Sequence, residues 1–161
     1  MEATVVKRDA FTIVGYQIQA NLKEIAEQQL GKRALDSLKE DGNLIHNKVT
    51  DHLYLVQIYP LKRGFDPNVD KFTQVIGYQV SDVDEIPKGM HTHHVPDSSY
   101  VTATHKGLES ELDRTYDFLC GKWLKENPYD HAGYDFEIWD DRYKPDQADN
   151  EIDVFVAIRE K

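Results

Sequence analysis

The segment Tyr134-Asp135-Phe136-Glu137-Ile138-Trp139 sets a carboxylate two residues from an indole, a spacing that puts both on one face of an extended strand. A matching segment, Tyr54-Leu55-Val56-Gln57-Ile58-Tyr59, lies 80 residues earlier and agrees in residue type at four of six positions. By the same alternation Leu55, Gln57 and Tyr59 share one face, as do Asp135, Glu137 and Trp139. The partner sets Tyr54, Val56, Ile58 and Tyr134, Phe136, Ile138 are expected to face helices. A pseudo-twofold would then gather Gln57, Tyr59, Glu137 and Trp139 around one partly desolvated carboxylate. That is cation-binding chemistry: each aromatic face attracts a delocalised cation by about 0.5 to 2 kcal/mol, and exclusion of water strengthens the charge contribution. Alternation alone fits equally a strand whose Glu137 face meets solvent.

Other groups offer less. Met90-His91-Thr92-His93-His94-Val95 places His91 and His93 on one face of an extended stretch, a chelating spacing that lacks a committed third ligand. His105, His131 and Asp97 are only loose candidates, so no metal and no cofactor is expected and the stretch is read as a solvated connector. Cys120, the sole cysteine, falls within a helix as a packed thiol, and Trp123 is read as core. No phosphate-cradling glycine loop, dinucleotide turn or nucleophile elbow occurs. Asp135 lies two residues from Glu137 on the same face and could equally be a solvated strand-start residue, so no second committed acid or base accompanies Glu137. This leans toward a binder rather than an enzyme.

The elements that must position these residues follow from periodicity. Val5 to Ala20 reads as a strand or bent pair of strands interrupted at Gly15. Leu22, Ile25, Ala26, Leu30, Ala34, Leu35 and Leu38 recur at helical spacing, with Gly31 weakening the middle. Strands follow at Tyr54 to Tyr59 and Phe72 to Val80. The order then repeats: a strand at Ser99 to His105, a helical stripe through Leu108, Leu112, Tyr116, Leu119 and Trp123 ending near Asn127-Pro128, then strands at Tyr134 to Trp139 and Ile152 to Ile158. The expectation is an α+β fold: a duplicated strand-helix-strand-strand unit, antiparallel, with two main helices on one side and a ligand cleft on the other. One domain over residues 1–161 would hold pseudo-repeats at about 5–80 and 90–160.

With 19 basic and 29 acidic residues the net charge is -10, which disfavours direct nucleic-acid binding. The first ten residues lack a secretory apolar run, and no stretch approaches the roughly 20 apolar residues of a membrane span. A cytoplasmic protein without membrane contact is expected.

The string from Tyr134 to Ile158, with Phe136-Glu137-Ile138-Trp139, an acidic loop and Glu151-Ile152-Asp153-Val154-Phe155-Val156-Ala157-Ile158, resembles the end of the gyrase-inhibitor-like effector-binding family, as does the duplicated architecture. Similar domains form the ligand-sensing part of multidrug-responsive transcription activators. The resemblance implies that Glu137, ringed by Trp139 and Tyr59, recognises lipophilic cations, with Tyr78 and Phe155 at matching places in the strands that follow. No helix-turn-helix reader precedes the domain, which implies a stand-alone small-molecule binder for sensing or sequestration. Two alternatives come with the family: a hydrolase of cyclopropane-bearing alkylating toxins that uses the same cleft, with Glu137 acting on a water or on the electrophile, and an interaction module whose protein partner would be gyrase.

Overall fold

The computed structural model describes residues 1–161. Eight strands run in the order β1 (Thr4–Arg8), β2 (Phe11–Ala20), β3 (Lys48–Ile58), β4 (Phe72–Val80), β5 (His91–Val95), β6 (Ser98–Lys106), β7 (Tyr129–Trp139) and β8 (Glu151–Glu160). Helices α1 (Leu22–Gln28) and α2 (Leu30–Asp41) lie between β2 and β3. Between β6 and β7 a helical run is assembled from α3 (Asp113–Tyr116), a π-helical stretch (Asp117–Trp123) and α4 (Leu124–Glu126). None of these helices is long and apolar enough to cross a membrane. The α+β class and the repeated strand-helix-strand-strand order are those read from the sequence.

The chain forms two compact units, Phe11–Val95 and Pro96–Lys161 together with Met1–Ala10. In the first, four antiparallel strands take the order β3-β4-β2-β5; in the second, β7-β8-β6-β1. The orders correspond strand for strand. Two sequence expectations change here. The chain breaks at Asp9-Ala10 rather than at Gly15, and β1 pairs with β6, so the N-terminal strand completes the second unit. His91–Val95 is not a solvated connector but β5, paired with β2 along Phe11 to Gly15, and it takes the corresponding place in the first unit. Both strands are short and their outer edges carry lysine, arginine or histidine, which suits an edge position.

Gly15 stays inside β2, directly opposite Gly77 of β4. A Cβ on Gly15 would fall 2.0 Å from the Ile76 carbonyl oxygen, and one on Gly77 2.2 Å from that of Val14, so neither position has room for a side chain. The first helix begins at a capping box: Asn21 accepts from the Glu24 N–H at 2.8 Å, and the Asn21 N–H donates to the Glu24 carboxylate at 3.1 Å. It ends at Gln29, whose left-handed backbone (φ 52°) separates α1 from α2. The break therefore precedes Gly31, which sits within the first turn of α2.

The helices pack on the sheet face opposite to the one expected. In the first unit Tyr16, in register with Ile76 and through it with Leu55, donates its hydroxyl to Asp41 at the end of α2, and this is the face of Gln57 and Tyr59. In the second unit Thr115 of α3 bonds His105 at 2.7 Å, and His105 is in register with Ile152, two residues from the partner of Glu137. The sequence pattern misleads because both faces are apolar. Tyr54 packs against Phe11, and Phe136 against Tyr100 and Phe155, all away from the helices.

Candidate ligand-binding site

Glu137 is 3% exposed, near the C-terminal end of β7. One carboxylate oxygen accepts the Tyr116 hydroxyl at 2.5 Å from the C-terminal end of α3, and the other accepts the Trp139 indole N–H at 3.0 Å. Both bonds favour the ionised form. Burial outweighs them and pushes the carboxyl up to about 7, helped by the like charges of Asp135 and Glu109. No protein cation acts on it.

The indole of Trp139, itself 8% exposed, carries the arrangement outward. Tyr143 stacks on it with centroids 4.5 Å apart and planes 3° from parallel. The Tyr143 hydroxyl donates to Glu109 at 2.7 Å, and burial raises both the phenol and the Glu109 carboxyl above their ordinary values. A carboxylate thus stands at each end of a stacked aromatic pair. The turn after β7 holds Tyr143 in place. Arg142 bridges Asp140 and Asp153 at 2.7 Å each, Asn150 accepts from the Lys144 N–H and donates to the Gly107 carbonyl, and the Glu109 N–H meets the Pro145 carbonyl at 3.0 Å.

The π-helical stretch begins immediately after Tyr116. Its wider turn is confirmed at the far end, where the Leu124 N–H reaches back to Leu119, and such stretches recur where a side chain is re-aimed at a functional site. Behind it, the buried His105 fastens β6 to the helical run: Nε2 donates to the Leu108 carbonyl at 2.8 Å, and Nδ1 meets the Thr115 hydroxyl. Both ring nitrogens are engaged. Asp135, 1% exposed, lies 3.7 Å from His131, and the half-buried Cys120 has its thiol pushed up to about 12, first by loss of water and then by Asp135.

Of the residues nominated from sequence, the second unit brings Glu137 and Trp139 into direct contact. It sets Phe155 on the opposite sheet face, stacked on Phe136 at 4.7 Å beneath the Arg8 guanidinium. Phe155 is paired with Phe136 and not with Glu137, so strand register alone removes it from the carboxylate's surroundings. In the first unit Gln57 accepts from Gln74 at 3.0 Å, Tyr59 packs against Phe65 and Phe72, and Tyr78 lies under the Lys48 ammonium at 4.4 Å. Trp123 is half-buried and stacked on Tyr129, with a looser setting than a core residue. No three metal-binding side chains gather anywhere, and His94 bonds Thr12. Sequence reasoning missed Tyr116, Tyr143 and Glu109 as site residues. Tyr116 was visible only as part of a helical stripe. Tyr143, four residues after Trp139, lay in a stretch read as an acidic turn.

A family model for integron-associated effector-binding proteins, Cass2, matches residues 4–158. The transcriptional regulator BrlR of Pseudomonas aeruginosa is 26% identical over 160 residues, covering 98% of this chain and 56% of BrlR; the chain therefore spans little more than half of that relative. Among solved structures, the EcmrR C-terminal domain superposes with TM-score 0.73 at 13% identity, covering 99% of this chain and 98% of that domain. SAV2435, solved bound to tetraphenylphosphonium, gives 0.72 at 14% identity, with 99% and 94% covered. These two likenesses establish the shared fold. On the family match, which runs through both units, the chain belongs to the Cass2 integron-associated effector-binding proteins, an effector-binding family of the kind its sequence resembles.

Proposed function

We propose that this effector-binding protein captures lipophilic aromatic cations, with Glu137 as the counter-ion and Trp139 as the stacking surface. The observation that carries the reading is a fully buried carboxylate held by two neutral donors, surrounded by like charge and by aromatic rings, with no protein cation to neutralise it. Such a group is costly to ionise alone, and an incoming cation removes that cost. A delocalised cation suits the place because it sheds water easily and gains from ring faces. The tetraphenylphosphonium in SAV2435 is a ligand of this chemistry on the same fold.

Glu137→Gln keeps the shape, leaves an amide oxygen to accept the Trp139 N–H and an amide N–H that the Tyr116 hydroxyl can accept, and removes the charge. It is expected to weaken binding of a lipophilic dye cation by about 1.5 to 3 kcal/mol, roughly ten- to a hundredfold, and to leave a neutral analogue of the same outline almost unaffected. Trp139→Ala should weaken both ligands, since a ring offers stacking area to either. Equal losses for the two ligands in Glu137→Gln would show that Glu137 is not the charge reader. Recovery of the ligand unchanged, by mass spectrometry after prolonged incubation, is the outcome expected of a binder.

A further inference from the structure

The second carboxylate, Glu109, has no role in the reading above. It belongs to the turn that leads into the helical run, is half-buried, and accepts the Tyr143 hydroxyl at 2.7 Å. Tyr143 in turn covers one face of Trp139, whose far edge holds Glu137. The chain has therefore laid a flat ring on the indole with a hydrogen-bond donor aimed at a second acid. An aromatic ligand that took the place of this ring would stack on the indole that holds Glu137, present its donor to Glu109 and lie within electrostatic reach of both acids. A phenol supplies Glu109 with a neutral donor only, whereas the two acids and Asp146 repel one another.

Resting on the proposed cation-binding function, we infer that the preferred ligands are planar aromatic dications bearing N–H donors, such as aryl bisamidines, and that Glu109 is the specificity residue that reads the second charge. Tyr143 is the internal stand-in for such a ligand. Its ring supplies the stacking and its hydroxyl the donor, and the ligand replaces both while adding the charge that the phenol lacks. Amidinium groups fit a carboxylate better than quaternary ammonium does, because two parallel N–H donors match its two oxygens.

The test uses the full chain and three probes: a linear diaryl bisamidine, the same skeleton with one amidine replaced by a nitrile, and tetraphenylphosphonium, titrated by calorimetry. Wild type should bind the bisamidine at least about tenfold more tightly than the monoamidine, the effect of one additional charge-assisted contact. Glu109→Gln should erase that preference, bringing the bisamidine to within about threefold of the monoamidine. Tyr143→Phe, which keeps the ring and releases Glu109, should tighten the bisamidine selectively. No preference in wild type, or a Glu109→Gln loss shared equally by all three probes, overturns the inference while the cation reading stands. A bisamidine that binds less tightly to Tyr143→Phe also overturns it. Wild type that binds none of the three cations overturns the cation reading, and this inference with it.

Discussion

Glu137 accepts two hydrogen bonds, and carboxylates so held usually titrate low; here the loss of water dominates and the group titrates near neutrality. The consequence for stability has a definite sign. A carboxyl raised from 4.5 to about 7 binds its proton more tightly when folded, so its contribution is fully present below the unfolded value and is lost as pH rises through about 7. The full loss is on the order of 3 kcal/mol. The groups facing it are Tyr116 from the helical run, Trp139 and Asp135 from its own strand, and Glu109 from the turn, and none supplies a compensating positive charge. Wild type should therefore lose stability between about pH 5 and about pH 8 relative to Glu137→Gln, measured by urea unfolding. Ligand affinity should move the other way: a cation selects the ionised form, so its binding should strengthen by up to about tenfold per pH unit below 7 and level off above. Parallel stability profiles for the two proteins would show that Glu137 does not titrate in this range.

At the scale of elements, the glycine pair across β2 and β4 sets the tightest constraint. Because a Cβ at Gly15 would overlap the Ile76 carbonyl, Gly15→Ala should cost about 3 kcal/mol by forcing the strands apart, whereas Gly31→Ala, with open space around it in α2, should be neutral or stabilising. Urea midpoints of the two variants check this. A Gly15 variant as stable as wild type would mean that the strands adjust freely. The same glycine shows what the sequence could and could not disclose. Its type was read as an interruption, since local propensity cannot see the partner strand that makes glycine necessary. Strands β4, β6 and β8 were legible to within two residues because each is rich in β-branched and aromatic residues. The face that meets the helices was not, because Phe136 and Tyr54 are as buried as the residues behind Glu137. Glu137 and Trp139 were nominated by period-two spacing together with the family resemblance, while Tyr116, Tyr143 and Glu109 come from three other elements, where only tertiary contacts reveal them.

Over the whole molecule, a net charge of -10 sets the long-range field. It draws cations toward the protein and repels polyanions, so the chain by itself should show no binding to random duplex DNA at physiological salt. A gel-shift assay giving micromolar affinity would contradict this. In the proposed function this field would work together with Glu137, one steering positive charge and the other meeting it.

The pairing of β1 with β6 also governs the order in which the protein can be assembled during synthesis. Thr4 to Arg8 leave the ribosome before the Phe11–Val95 unit, yet their partners, Ser98 to Thr102, are made after the whole of it. At about 5 to 20 residues per second, β1 waits roughly 5 to 20 s for a strand to pair with. The first unit has all four of its own strands by then, so the nascent chain carries a finished sheet behind a leading segment that belongs to the other. The unit that holds Glu137 is closed only when β8 emerges to join β6 and β7, so the surroundings of Glu137 are completed well after those of the first unit.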